Sequence, residues 1–176
     1  MKTKERLTIA FKGLKDGIHE FRFSKSDKFF ESIEYAEIQK GNLEVFIILD
    51  KKPQYLAFDV NIEGQVMVTC DRCLDEFFMP LEYSGTIIAK FTVEKENDEN
   101  DEMMFLSPID FEIDLTHYIY ESVYLSLPVK RIHPDDKKGK STCNKKMLKE
   151  LENLSYQSSQ EDIDPRWEIL RKLNNN

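Results

Sequence analysis

The sequence predicts an α+β fold: a curled, mostly antiparallel sheet forming a partial barrel, followed by C-terminal helices. Through the first two thirds of the chain, short runs alternate apolar and polar residues, the period of strands with one face buried. In the last third the apolar residues recur at three- and four-residue spacing, the period of an amphipathic helix. Single glycines and prolines punctuate the strand region, as a meander of antiparallel strands requires.

Residues 7–11 and 18–23 are the first two expected strands, with Gly13 and Gly17 between them. Residues 28–35, carrying Phe29, Phe30 and Ile33, fit a short helix. Strands at 43–49, 55–62 and 65–69 follow, with Pro53 and Gly64 marking the turns that separate them. Two more, at 77–83 and 85–93, complete the sheet. Residues 94–102 are acidic with no apolar member, so they read as a solvated loop. Asp114 can then cap a helix whose Leu115, Tyr118, Ile119 and Ser122 share a face, and Pro128 stops it. A second helix spans 144–154, with Met147, Leu148, Leu151 and Leu154 on one side. Residues 1–155 make one domain, and 156–176 a linker and short C-terminal helix. In that helix Asp164 is the N-cap and Pro165 the first residue, which sets Trp167, Leu170 and Leu173 on one stripe. The stripe suits either docking on its own domain or a linear motif for a partner.

Composition narrows the function. A length of 176 residues suits one domain, and 40% hydrophobic residues suffice for its core. No apolar run approaches the ~20 residues that span a bilayer, and no apolar stretch follows the basic N-terminus as in a signal peptide. Three cysteines in such a chain do not make a disulfide framework, so a reduced, cytoplasmic protein is expected. A net charge of −8 argues against a general nucleic-acid binder. The charge is uneven, however. Residues 129–149 hold Lys130, Arg131, Lys137, Lys138, Lys140, Lys145, Lys146 and Lys149 against only Asp135 and Asp136. This basic arm on an acidic body is either a phosphate-binding face or a solvated surface. No glycine-rich phosphate loop and no Gly-x-Ser-x-Gly elbow is present, which disfavours an enzyme.

The most chemical feature is Cys70-Asp71-Arg72-Cys73. A tight turn brings two such sulfurs to the same side, where they can share one tetrahedral ion. A structural zinc wants four ligands, and His133 with Cys143 supplies the second half. The set Cys70, Cys73, His133 and Cys143 would fasten the basic arm to the sheet. Three readings stay open: one structural zinc ion, reduced packing cysteines, or a redox Cys-x-x-Cys pair. His19 on a strand and His117 on a helix turn read as surface or core-edge residues.

Several of these pieces, in this order, resemble the YceD family. They are Cys70-Asp71-Arg72-Cys73-Leu74, then Ile113-Asp114-Leu115 through Leu125-Ser126-Leu127-Pro128, then His133 to Cys143, then Asp164-Pro165-Arg166-Trp167. The resemblance covers roughly residues 40–176 and implies a bacterial cytoplasmic role in accumulation or processing of large-subunit ribosomal RNA. Many relatives carry several cysteines in the second cluster, whereas this chain has Cys143 with His133, so the metal set has no spare ligand. Two partner classes follow. In one the arm lysines contact large-subunit ribosomal RNA; in the other the acidic body binds a basic ribosomal protein. A redox sensor at Cys70 and Cys73 is a third reading.

Overall fold

The computed structural model describes residues 5–92 and 103–155. The order of elements is β1 (Thr8–Ala10), β2 (Gly17–Lys25), α1 (Asp27–Glu31), β3 (Gly41–Lys51), β4 (Tyr55–Thr69), β5 (Glu76–Phe91), β6 (Met103–Leu106), β7 (Glu112–Asp114), α2 (Thr116–Ser126) and α3 (Lys145–Leu154). Five strands form one sheet in the order β2-β3-β4-β5-β6, antiparallel except for a short parallel pairing of β5 with β6. A separate two-stranded ribbon pairs β1 with β7.

The α+β class and the helices after the sheet are as the sequence predicts. The partial barrel is not: neither sheet is curled or closed, and β2 and β6 remain edges of the larger one. Closure is unnecessary because other elements cover the apolar face. Leu43, Val45, Ile47 and Leu49 of β3, Phe58, Val60 and Ile62 of β4, and Ile87 and Ala89 of β5 all point into one core. Phe29 and Phe30 of α1, Ile9 and Ile113 of the ribbon, and Ile119 and Val123 of α2 close over them. Burying one face in this way is what drives strict alternation along the strands.

Several boundaries move. Gly64 marks no turn; it lies inside the unbroken, 15-residue β4. A Cβ there would collide with the Asn42 carbonyl oxygen and come within 3.0 Å of Leu43 Cα, so glycine is needed where β3 and β4 approach. The two strands expected at 77–83 and 85–93 are likewise one strand, β5, of 16 residues. The expected helix at 28–35 ends early, at Glu31. Asp114 sits in β7 rather than at the cap position, yet its Oδ1 accepts the Thr116 N–H at 2.9 Å and so still satisfies the helix start. α3 begins as expected, with the Asn144 side chain accepting the Lys146 N–H. The acidic run 94–102 and the Trp167, Leu170 and Leu173 stripe lie outside the described residues. Among the described residues no helix is long and apolar enough to cross a membrane.

Candidate metal centre

Cys70 follows directly on β4, where the chain turns back toward β5. The turn is closed by Leu74 N–H donating to the Cys70 carbonyl and by Cys70 N–H donating to the Asp75 carbonyl, each at 2.9 Å. Leu74 takes a left-handed φ of 61°, which costs a residue with a Cβ about 1 kcal/mol or more. The turn buries both thiols, leaving Cys70 0% and Cys73 1% exposed.

The other two side chains arrive from the segment between α2 and α3. Its root is clamped to the turn by reciprocal bonds: Asp71 N–H donates to the Arg131 carbonyl (2.7 Å), and Arg131 N–H to Asp71 Oδ2 (2.6 Å). Beyond His133 the segment folds on itself, with Asp135 bridged to Ser141, Asp136 N–H donating to the Lys140 carbonyl, and Gly139 at a left-handed φ of 72°. Thr142 Oγ1 donates to the Pro134 carbonyl at 2.6 Å, which returns the chain so that Cys143 faces His133. Asn144, the α3 cap, donates to Asp75 Oδ2 at 3.1 Å and closes the loop onto the cysteine turn.

The four donor atoms all lie within 4.8 Å of one another. Cys70 Sγ is 3.8 Å from Cys143 Sγ, while His133 Nδ1 is 3.5 Å from Cys73 Sγ and 3.8 Å from Cys143 Sγ. A tetrahedral zinc with Zn–S near 2.3 Å and Zn–N near 2.0–2.1 Å has edges of about 3.8 Å between sulfurs and about 3.5 Å between sulfur and nitrogen. The donor spacing fits that ion. The sulfurs are too far apart for a disulfide, and all three cysteines are free.

The surroundings favour a thiolate at Cys70. Burial pushes its thiol up, but backbone N–H groups of Cys73, Arg72 and His133 and the His133 side chain outweigh this and bring it to about 6. Cys73 goes the other way: burial pushes it up, and the neighbouring thiols of Cys70 and Cys143 add to this against donors from Asn144 and Asp75. Sulfurs in these mutual positions are stable together as thiolates only if a cation joins them. Phe77 stacks on the His133 ring at 4.4 Å, and Ile132, Met147 and Leu148 pack around the cysteines. This apolar shell covers the three buried cysteines and meets the main core through Phe77, which packs against both.

A family model described as "Large ribosomal RNA subunit accumulation protein YceD" matches residues 58–174, a stretch that includes both halves of the cluster. The chain belongs to the YceD family. It is also similar to the "Uncharacterized protein YlbN" of Bacillus subtilis (strain 168), 26% identical over 157 residues, which is 85% of this chain and 88% of that protein. No solved structure matches it.

In this YceD-family chain the expected basic residues divide into two groups. Lys130, Lys137, Lys138, Lys140, Lys145 and Lys146 are all exposed, the middle three on the folded-back loop and the last two at the start of α3. Arg131 is drawn inward. Its Nη1 donates to Glu37 Oε1 at 2.8 Å, its guanidinium lies 5.4 Å from the centre of the Tyr124 ring, and Tyr124 Oη donates to Glu37 Oε2 at 2.6 Å. This latch joins the arm to α2 and to the loop after α1. Nothing in the sequence pattern announces it, because Glu37 and Arg131 are 94 residues apart. The Tyr124 hydrogen bond, then Arg131, holds the Glu37 carboxyl below its ordinary value. A depressed carboxyl stabilises the folded state above the unfolded pKa, and that contribution disappears as pH falls through the folded value. Both partners are partly exposed, so Glu37→Gln is expected to cost only about 0.5–1 kcal/mol at neutral pH. The cost should vanish on acidification below the ordinary carboxylate range, as urea titrations across pH would register.

Arg72 Nη1 lies 3.5 Å from Ser141 Oγ, a further thread between the cysteine turn and the arm. The two remaining histidines stand apart from the cluster. His19 bonds the Lys15 carbonyl, and exposed His117 faces Glu121 one turn along α2.

Proposed function

We propose that this chain is a non-catalytic factor supporting accumulation and processing of large-subunit ribosomal RNA, in which one structural zinc ion fixes a basic arm that contacts RNA. The observation that carries the reading is the coincidence of the arm's root with the cluster of buried Cys70, Cys73 and Cys143 and half-buried His133. Seven exposed lysines, Lys149 of α3 included, project from a segment fastened otherwise by a few hydrogen bonds and the Glu37 latch. An ion there would fix where the lysines sit without using any of them. Lysines on an ordered root lose less freedom on meeting phosphates than lysines on a free tail, which makes them a usable phosphate contact. The family's printed description, large ribosomal RNA subunit accumulation, agrees with this use. Four protein donors leave zinc no open position, so the centre supports structure and not catalysis. Burial of all three thiols speaks against a redox sensor, which needs an accessible thiolate. The reducing cytoplasm is the compartment in which such a cluster keeps its thiols.

Depletion of the protein is expected to lower the ratio of large- to small-subunit ribosomal RNA. Wild type should restore it, whereas neither Cys70→Ser/Cys73→Ser nor Lys137→Glu/Lys138→Glu/Lys140→Glu should. In vitro, the triple lysine change should weaken RNA binding at low salt. It should also reduce the slope of log affinity against log salt by about 2–3, near one unit for each phosphate no longer bound. An unchanged ratio on depletion would overturn the reading. A fallen ratio rescued by the triple lysine variant would move the interaction from RNA to a basic ribosomal protein bound by the acidic body.

A further inference from the structure

The five-stranded sheet has a second face, pointing away from the core. Along β3, β4 and β5 the residues that alternate with the buried ones point outward, and the register sets them in rows. One row is all carboxylate: Glu44 of β3 is opposite Glu63 of β4, and Glu63 is opposite Glu82 of β5. All three are exposed, and no ion pair or hydrogen bond to another described residue neutralises them. Like charges directly opposed across strands destabilise a sheet, so this arrangement is one that folding alone disfavours.

The row is not an isolated patch of acid. Beside it lies a groove of about 520 Å³ lined by Arg22, Glu44, Val45, Phe46, Asn61 and Glu63. Within the groove the Arg22 guanidinium sits 5.0 Å from the centre of the Phe46 ring. The chain's own arginine thus shows that this surface accepts a guanidinium over an aromatic face next to carboxylates. Exposed Pro80 and Phe78 continue the apolar character along β5. Beyond the groove, exposed Glu20 and Asp59 lie further along the neighbouring strands and extend the negative field.

We infer that this open sheet face is a docking surface for an arginine- and lysine-rich polypeptide segment, its cations over the Glu44, Glu63 and Glu82 row and its apolar parts against Phe46 and Pro80. The sign of the charge selects the partner: a basic peptide relieves the opposed glutamates, and a nucleic acid is repelled by them. The surface is built from different residues than the lysine arm and carries the opposite charge, so it is independent of the RNA contact proposed above. Together the two would let one small domain hold a basic protein segment and an RNA at once.

The test uses the full chain and a fluorescein-labelled 12-residue peptide of alternating arginine and serine, with alternating glutamate and serine as control. Fluorescence anisotropy should show binding of the basic peptide only. Glu44→Gln/Glu63→Gln/Glu82→Gln should weaken it at least tenfold while leaving the melting temperature unchanged or higher, because the opposed charges are gone. Lys137→Glu/Lys138→Glu/Lys140→Glu should not weaken it. Independently of any variant, titration of the isotope-labelled wild type should shift backbone amides of 44–46, 61–63 and 80–82. Affinity within twofold of wild type in the glutamine variant would overturn the inference. So would peptide-induced shifts confined to the acidic run 94–102.

Discussion

Cys70→Ser is expected to abolish stoichiometric zinc retention and release the segment from 129 to 155, while the five-stranded sheet stays folded. The separation follows from the packing. The cysteines, with Ile132, Met147 and Leu148, form a small cluster that meets the main core at Phe77 of β5, and α3 buries no residue of its own. A ten-residue helix with no buried side chain has little reason to persist once its anchor is gone. Structural zinc sites supply folding free energy outright, and their loss is among the few single changes that exceed about 4 kcal/mol. The arm should therefore become labile to protease and exchange its amides freely, whereas amides of β3, β4 and β5 keep their protection. Hydrogen exchange by mass spectrometry, run beside metal analysis, measures both. Protection of the arm equal to wild type would mean that the hydrogen bonds of Asp71, Arg131 and Asn144 suffice without an ion.

The second large effect is at Gly64, where Gly64→Ala is expected to destabilise the domain by about 2–3 kcal/mol, the upper part of the range for forced overpacking. The new methyl would meet backbone, the Asn42 carbonyl and Leu43 Cα, and backbone held in a paired ladder cannot swing aside as a side chain can. Gly85→Ala makes the informative contrast. There the obstruction is the tip of the Tyr83 side chain, which can rotate, at the expense of its 2.9 Å hydroxyl contact with Tyr118. A loss nearer 1 kcal/mol is expected. Chemical denaturation of both variants reads the difference. Equal losses would show that β3 and β4 yield at Gly64.

Much of this structure was legible in the sequence wherever a local rule governs it. The strands announce themselves because one face of the sheet is buried and the other open, so that Leu43, Val45, Ile47 and Leu49 alternate with Asn42, Glu44, Phe46 and Ile48. The cluster was legible because few residue types bind zinc, and His133 with Cys143 were the natural complement to Cys70 and Cys73. What failed depended on distant partners. Gly64 looks like a turn signal, and only its neighbour strand reveals a close approach. β6 and β7, of four and three residues, exist through pairing with β5 and β1, which no short window contains. The expected curl gave way because α1, α2 and the β1–β7 ribbon cover the face that a barrel would have closed on itself. The Glu37, Tyr124 and Arg131 latch and the Glu44, Glu63 and Glu82 row have no signature in sequence; one needs tertiary packing and the other needs strand register.

The proposed role of the basic arm requires that Cys70, Cys73, His133 and Cys143, whose donor atoms lie within 4.8 Å of one another, hold one ion together. X-ray absorption at the zinc edge reads that coordination shell, on full-length protein purified under reducing conditions and analysed for metal. One zinc per chain is expected, with three sulfurs at about 2.3 Å and one nitrogen at about 2.0–2.1 Å. Protein that binds less than about a tenth of an equivalent after zinc is supplied, or binds it through oxygen and nitrogen alone, would refute the shared site.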